Sequence, residues 1–320
     1  MKTLVIQIPC FNEEGTLPIT LKQLPRQVEG FDKVLVMIID DGSKDRTVEV
    51  ALENGADHVV RVGGNRGLAN AFRTGLREAL KLGADVIVNT DADNQYQADD
   101  IPKLTAPILA GEAEIVIGAR PISTTEHFSA KKKFLQKLGS WVVRIASGTT
   151  VADAPSGFRA FSTEAASRLN VFGDYTYTLE TIIQAGWQRM RVISVPIRTN
   201  EDLRPSRLLK SIAMYVRASA LTIVRSFVAY RPFHFFGFTG VVSLGLGALL
   251  GSRFLYFYFT GTGAAGHVQS LILTAILMIT GFLLLVVALL SDLISVNRKL
   301  LEKIDDRLAV LEAKANQREE

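Results

Sequence analysis

Short runs of apolar, largely β-branched residues alternate with longer mixed segments through the first part of the chain. Thr3–Ile8, Lys33–Ile39, His58–Val62 and Asp85–Asn89 read as strands, and Glu14–Leu24, Arg46–Glu53 and Leu68–Leu82 carry helical spacing between them. This alternation predicts an α/β unit with a parallel sheet covered by helices on both faces. Two further strands, Glu114–Gly118 and Met190–Val195, and two further helices, Lys131–Ser147 and Thr178–Ala185, extend the pattern. Ligands of such sheets bind beyond the carboxyl ends of the strands. The residues to inspect are therefore those that close the strands: PCFNEE (9–14), DDGSKD (40–45) and TDADNQ (90–95).

From Leu203 to Ser291 the pattern changes, because no acidic residue occurs there. Arg204, Arg207, Lys210, Arg217 and Arg225 first punctuate an apolar pattern that Arg231 closes. Ser206–Phe227 is expected to form amphipathic helices in a lipid headgroup region, with basic side chains toward anionic lipid. The competing reading is a solvated basic helix face. Between Arg231 and Arg253 lie 21 residues without a charged side chain, and between Arg253 and Asp292 lie 38. Spans near Phe233–Tyr256 and Val268–Ser291 are long enough to cross about 30 Å of hydrocarbon, joined by the turn-like stretch Thr260–Gly266. Phe254, Tyr256, Phe257, Tyr258 and Phe259 suit an aromatic belt, and Arg253 can snorkel to the same interface. Basic residues flank the other side, which places both chain ends in the cytoplasm. After the second span Ile294, Leu301, Ile304, Leu308 and Leu311 form a short heptad seam, which predicts a homo-oligomer. A tail helix packed on its own body fits the seam equally. The expected division is a catalytic domain over 1–205, interface helices over 206–231, two spans within 232–292 and a cytoplasmic helix over 293–320.

Composition sharpens this picture. Hydrophobic residues make up 48% of the 320 positions and charged residues 21%, and the apolar excess is concentrated in the two spans. The single cysteine, Cys10, excludes an internal disulfide framework, and four scattered histidines leave no Cys/His zinc site. Any metal must be held by oxygens. The opening MKTLVIQIP is too short an apolar run for a signal peptide, so the body is expected on the cytoplasmic side of an inner (plasma) membrane. A net charge of +4 raises nucleic acid as a partner, but the basic residues gather beside the spans with no interleaved aromatic surface, which disfavours it.

The strand-end clusters carry the chemistry. Asp91-Ala92-Asp93 can place one carboxylate on a hard divalent cation and the other near a sugar or ribose hydroxyl. Mg²⁺ takes few protein ligands and completes its shell with water and phosphate oxygens, and a metal bridging two phosphates stabilises a departing diphosphate. Of Asp40 and Asp41, one can cap a local helix while the other accepts from a base N–H or ribose hydroxyl, with Gly42 permitting the reversal. Phe11 can stack on a base and Glu13 can accept hydrogen bonds from it. The stretch Gly63-Gly64-Asn65-Arg66-Gly67 is not the G-x-G-x-x-G fingerprint, so a nicotinamide or flavin enzyme is not supported. It reads as a loop feeding a helix N-terminus near phosphate.

Taken in order, IPCFNEE, IIDDGSKDRT, NRGLANAFRTGL, TDADNQY, VIGAR, APSGFRAF, YTLETIIQAGWQRMRVISVPI and RPSRL resemble the family-two glycosyltransferases of GT-A fold. The resemblance covers roughly residues 1–210 and is closest in kind to the polyprenyl-phosphate group, similar to dolichyl-phosphate mannose synthases and prophage-type undecaprenyl-phosphate glucosyltransferases. It implies a Rossmann-like nucleotide-sugar domain. It also implies that Pro9, Phe11, Glu13, Ile39 and Asp41 contact the nucleotide. By the same resemblance Asp91, Ala92, Asp93 and Gln95 form the metal and diphosphate segment, with Asp91 and Asp93 on Mg²⁺ or Mn²⁺. Asp93, Arg120 and Arg207 take catalytic positions, and Ser156, Arg159 and Glu180 fall in further pocket signatures. Relatives often have Tyr where Phe11 stands, which keeps the ring and drops the hydroxyl.

The implied acceptor explains the charges. Transfer to a hydroxyl needs a general base, whereas a lipid phosphate is already anionic and needs cations to hold it. Arg120, Lys131, Lys132, Lys133, Arg204 and Arg207 are the candidates, and the TLET around Glu180 has no adjacent Asp to complete a base dyad. The expectation is inverting transfer of a hexose from a UDP-glucose or GDP-mannose type donor to polyprenyl phosphate, at a membrane. The rival readings are a transferase acting on a glycan or glycolipid hydroxyl and a non-catalytic membrane scaffold.

Overall fold

The structure, a computed structural model of the chain, describes residues 1–121, 130–171, 177–201, 232–260 and 268–319, with isolated positions at 217, 220, 221, 224 and 228. At 130–138, 268, 298, 299 and 302–319 it describes the backbone alone. Arg204, Arg207, most of Ser206–Phe227 and most of the Thr260–Gly266 loop lie outside the described residues. So do the side chains of Lys131, Lys132, Lys133, Ile304, Leu308 and Leu311.

The chain divides into two compact units, Met1–Val224 and Arg225–Glu320. In the first, seven strands form one sheet in the order β3-β2-β1-β4-β6-β5-β7. They are β1 (Thr3–Cys10), β2 (Lys33–Asp40), β3 (His58–Arg61), β4 (Val86–Asn89), β5 (Ile115–Ala119), β6 (Arg159–Ser162) and β7 (Val192–Pro196). The helices are α1 (Leu17–Gln23), α2 (Thr47–Glu53), α3 (Leu68–Lys81), α4 (Ile101–Leu109), α5 (Ala130–Ser147), α6 (Thr163–Arg168) and α7 (Thr178–Trp187).

The pleat of β1 sends Leu4, Ile6 and Ile8 to one core and Val5 to the other, because successive side chains alternate across a sheet. Both faces are covered, which is why β1 and β2 are almost continuously apolar. One core gathers Phe72, Leu76, Phe161, Tyr177 and Ile182 from the α3 and α7 side. The opposite core gathers Leu17, Leu21, Ile101, Leu104 and Phe158.

The sheet is not wholly parallel. β6 runs antiparallel to both neighbours, with Asn89 opposite Arg159 and Ile117 opposite Arg159. The expected parallel sheet is corrected at this strand. Its four residues, RAFS, sit inside a motif that carries no strand periodicity of its own. The reversal matters for the site, since β6 begins where β4 ends and so delivers residues 153–158 to the carboxyl edge of the sheet.

α7 packs on the end of α5 with no room to spare. A Cβ on Gly186 would stand 2.0 Å from the Ser147 carbonyl oxygen, a backbone atom that cannot swing aside. Gly186→Ala is expected to lower stability by about 3 kcal/mol, by overpacking at a rigid contact, and thermal denaturation of the variant measures it.

The second unit holds α8 (Pro232–Phe259) and α9 (Val268–Glu319). Within them Pro232–Phe259 and Gln269–Asn297 are long and apolar enough to cross a membrane. Large apolar side chains such as Phe238, Leu249, Ile272 and Phe282 are exposed along their length. The two helices meet through small residues: a Cβ on Gly240 would stand 3.0 Å from the Gly281 carbonyl oxygen, and the Ser243 hydroxyl donates to the Leu277 carbonyl at 2.8 Å. Close backbone approach of this kind is how helices associate in lipid, where burial of apolar area gives no driving force. The second apolar stretch and the residues after it form one helix of 52 residues, because no glycine or proline follows Gly281 to interrupt it.

Candidate active site

Parallel pairing of β1 with β2 and β4 brings three loops to one edge of the sheet. The loops after β1 and β2 are tied across to each other. The backbone N–H of Asn12 donates to the Ser43 hydroxyl at 2.9 Å, that of Glu13 to the Thr47 hydroxyl at 2.8 Å, and that of Lys44 to the Asn12 side-chain oxygen at 2.8 Å. Asn12 sits at φ 54°, a left-handed conformation that asparagine tolerates better than most residues. The Glu13 carboxylate is buried and accepts from the Thr16 hydroxyl at 2.8 Å. Phe11 is half-buried at the head of this loop.

Asp40 accepts from the Ser43 N–H at 3.0 Å and holds its own turn. The Asp41 carboxylate reaches 25 positions onward and accepts from the N–H groups of Arg66 (2.9 Å) and Gly67 (2.8 Å). These two amides at the start of α3 are thus engaged by a protein carboxylate. Gly42, at φ 78°, lets the two loops touch: a Cβ there would lie 2.7 Å from the Gly64 carbonyl carbon.

The Asp91–Tyr96 loop is held on every side. The Ala92 carbonyl accepts from the Thr20 hydroxyl at 2.9 Å. The Asn200 side chain donates to the Asn94 carbonyl at 2.9 Å, and its backbone N–H donates to the Gln95 carbonyl at 2.9 Å. Tyr96 pairs with Thr199 as an isolated antiparallel bridge. Arg198 adds a bidentate grip on buried Asp100, through Nε at 3.1 Å and Nη2 at 2.8 Å. Burial works against the Asp100 charge, but hydrogen bonds from Arg198 and Lys103 hold its pKa down at about 2.

The segment before β6 closes the site. Asp153, 1% exposed, takes Arg120 in a fork, with Nε at 2.7 Å and Nη2 at 3.0 Å. Burial opposes the Arg120 charge, yet Asp153, with Tyr96 and Asp91 beyond it, keeps the guanidinium protonated well above its ordinary range. Asp91 feels the reverse balance. Burial first and the Asp93 charge second push its pKa up to about 7, against Arg120 and a Tyr96 hydrogen bond that favour the anion. A Cβ on Gly157 would lie 2.8 and 2.9 Å from the two Asp91 oxygens, so only glycine fits there.

Beneath this layer lies a buried polar frame. Gln7 donates to Asn89 at 2.9 Å, and Asn89 donates to the Tyr177 hydroxyl at 2.8 Å and the Gly157 carbonyl at 2.9 Å. The Tyr177 ring stacks on Phe72 with centroids 3.8 Å apart. Arg159 is fully buried and donates to the carbonyls of Ala154, Ser156 and Thr178 and to the Thr181 hydroxyl. It braces the loop before β6 from within. Burial lowers its pKa to about 10, leaving it charged at neutral pH.

Of the residues singled out from sequence, Asp91, Asp93, Glu13 and Arg120 lie close enough to act on one another's charge, directly or through Asp91. Gln95 is half-buried and its N–H donates to Asp93 at 3.2 Å. Pro9, Ile39 and Ala92 are buried, Ile39 toward Gly75 of α3. Ser156 and Glu180 are buried as well, and the Ser156 hydroxyl has no partner among the described residues. Sequence reasoning passed over Asp153 and Tyr96. The signal for the first was a lone charge inside VADAPSGF, and for the second an aromatic two positions after Asn94.

The acid pair supplies oxygen donors only, and its mutual repulsion would be relieved by a cation. Among the described residues no group of three His, Cys, Asp or Glu side chains gathers. That donor set suits a hard divalent ion that leaves positions for water and phosphate oxygens.

A mixed α/β sheet of this order, with an Asp-Ala-Asp turn closing its fourth strand, defines a glycosyltransferase domain of GT-A type. Comparison with known proteins agrees. Residues 5–169 match the model of Glycosyl transferase family 2, and the chain belongs to that family. The UDP-N-acetylglucosamine–dolichyl-phosphate N-acetylglucosaminyltransferase of Methanococcus voltae is 32% identical over 224 residues, covering 62% of this chain and 86% of that protein. The undecaprenyl-phosphate mannosyltransferase of Micrococcus luteus is 30% identical over 207 residues, covering 62% and 83%. In three dimensions the chain resembles glucosyl-3-phosphoglycerate synthase of Mycobacterium tuberculosis in complex with uridine diphosphate, with TM-score 0.56 and 20% identity over 71% of this chain and 80% of that one. That likeness is one of fold.

Proposed function

We propose that this glycosyltransferase passes a hexose from a nucleotide-diphosphate sugar to polyprenyl phosphate, with inversion, at the cytoplasmic face of a membrane. The observation that carries the reading is the pairing of two features in one chain. An acid pair with an adjoining arginine stands at the carboxyl edge of the sheet, and two helices are long and apolar enough to cross a bilayer. Both relatives named above act, by their names, on lipid phosphates, and this chain covers most of the length of each.

In this reading Phe11 stacks on the base, while Glu13 and Asp41 lie toward base and ribose. Asp91 and Asp93 hold Mg²⁺ or Mn²⁺, which offsets the diphosphate charge when bound. An oxygen of the acceptor phosphate attacks the anomeric carbon. The bond from that carbon to the diphosphate oxygen breaks, and its electron pair leaves with the nucleoside diphosphate. The attacking phosphate is already an anion, so no proton has to be removed. What the acceptor needs is positive charge, and Arg120, Lys131–Lys133, Arg204 and Arg207 are the residues proposed to supply it. Asp153 holds the Arg120 fork in one orientation in advance, which reduces the ordering needed when the anion arrives. Two crossings return both chain ends to the same side, where the basic residues gather. The product is a lipid-linked sugar for glycan modification or protein glycosylation.

The test is a donor screen on purified protein, with undecaprenyl phosphate in detergent and labelled UDP-glucose, UDP-N-acetylglucosamine or GDP-mannose. One donor is expected to yield an organic-extractable, mild-acid-labile glycolipid. Glycosylation of a hydroxyl acceptor, with every donor failing on the lipid phosphate, would overturn the reading.

A further inference from the structure

We propose that Tyr96 is a positioning residue whose hydroxyl sets the orientation of the Asp91 carboxylate before any ligand arrives. The inference rests on the reading above, that Asp91 belongs to the cation and diphosphate end of the donor site.

The argument starts from the proton of the Tyr96 hydroxyl. That oxygen accepts from the Gly157 N–H at 3.0 Å, and it is hydrogen-bonded to the Asp91 carboxylate. In its ionised form, the one that holds a cation, the carboxylate only accepts, so the phenol proton then points at Asp91. A phenol ordinarily titrates near pH ~10, so the proton stays in place at neutral pH. The ring has little freedom to move. It is 4% exposed, lies face to face on Phe158 with centroids 5.1 Å apart, and its backbone is bridged to Thr199.

Asp91 is confined from a second direction. Both of its oxygens lie within 3 Å of where a Gly157 Cβ would be. The same glycine therefore offers its N–H to Tyr96 and its bare Cα to Asp91. The carboxylate is held between them, with one lone pair engaged by the phenol and the others left for the ligand. Buried as it is, Tyr96 acts through Asp91, as a hydrogen-bonding partner behind a metal-ligating group does. Its placement depends on the antiparallel entry of β6, which alone brings Gly157 and Phe158 beside this loop.

The test compares full-length Tyr96→Phe, Phe158→Leu and Asp91→Asn with the unsubstituted protein. Mn²⁺ binding is read by electron paramagnetic resonance of the free ion, with UDP and with GDP, beside thermal denaturation and transferase kinetics. Tyr96→Phe keeps the ring stack and is expected to weaken Mn²⁺ binding about 10- to 100-fold. Phe158→Leu keeps the hydroxyl and is expected to lower the melting temperature while holding Mn²⁺ affinity within about threefold of the parent. Replacing Tyr96 with 4-aminophenylalanine, which restores a donor at the same reach, is expected to return most of the affinity. Unaltered Mn²⁺ affinity in Tyr96→Phe, with Asp91→Asn impaired, overturns the role of Tyr96 alone. Unaltered affinity in Asp91→Asn overturns it together with the reading it rests on. Should Tyr96→Phe not fold, the 4-aminophenylalanine protein decides: near-parental affinity supports the inference and a tenfold loss overturns it.

Discussion

Asp93→Asn is expected to reduce sugar transfer by about 10³-fold, the scale of several kcal/mol of lost charge stabilisation, while the protein melts no lower than its parent. The two expectations come from the same pair. Asp93 is the second-largest cause, after burial, of the raised Asp91 pKa, so the two carboxylates repel each other in the metal-free fold. Asparagine keeps an oxygen for the Gln95 N–H, which donates to Asp93 at 3.2 Å, and removes the repulsion. The sign of the pH effect follows. The folded Asp91 pKa of about 7 lies above the roughly 3.9 of an unperturbed aspartate, so the metal-free fold binds more protons than the unfolded chain between those values. Its stability therefore falls as pH rises through that window. A cation requires the ionised carboxylate, so its affinity should climb with pH up to about 7 and then level off. Asp93→Asn should move that plateau to lower pH. Calorimetric titration with Mn²⁺ across pH 5.5–8.5, beside melting curves, checks both, and a pH-independent affinity in the parent would contradict the pairing.

The other large effect is expected at a residue with no side chain. Gly157→Ala should lower turnover about 100-fold, the scale of a misplaced reacting group, with only a modest loss of stability. The backbone there is not in the left-handed region, so alanine suffers no conformational strain. The conflict is with Asp91, whose two oxygens and Cγ would lie 2.8, 2.9 and 3.2 Å from the new Cβ. The carboxylate has to turn, and turning breaks its hydrogen bond with Tyr96. Initial rates and the cation activation constant of the variant measure this. A larger fall in melting temperature than in rate would place the damage in the fold instead.

Much of the fold was legible along the chain, for local reasons. β1, β2, β4, α3 and α7 begin and end within three residues of where periodicity puts them, since covered strands and amphipathic helices carry their burial in their own spacing. The two long apolar segments were legible for the same reason. The acid pair could be found because strand-end residues of an α/β sheet face its ligand edge whatever the details of packing.

Other features were settled only in three dimensions. The direction of β6 is a property of its neighbours, and the four residues that follow APSGF hold no record of it. Asp40 and Asp41 are adjacent and chemically alike, yet one closes its own turn and the other holds amides 25 and 26 positions onward. Arg159 and Arg120 read alike in a motif, but one is sealed inside by four acceptors while the other meets Asp153 beside Asp91. The difference has one physical origin. Periodicity and residue chemistry act over a few positions and were fixed by the order of amino acids alone: a covered sheet, its acidic edge and two apolar helices. A polar group's role depends on which distant donor or acceptor lies within about 3 Å, and only the assembled sheet determined that.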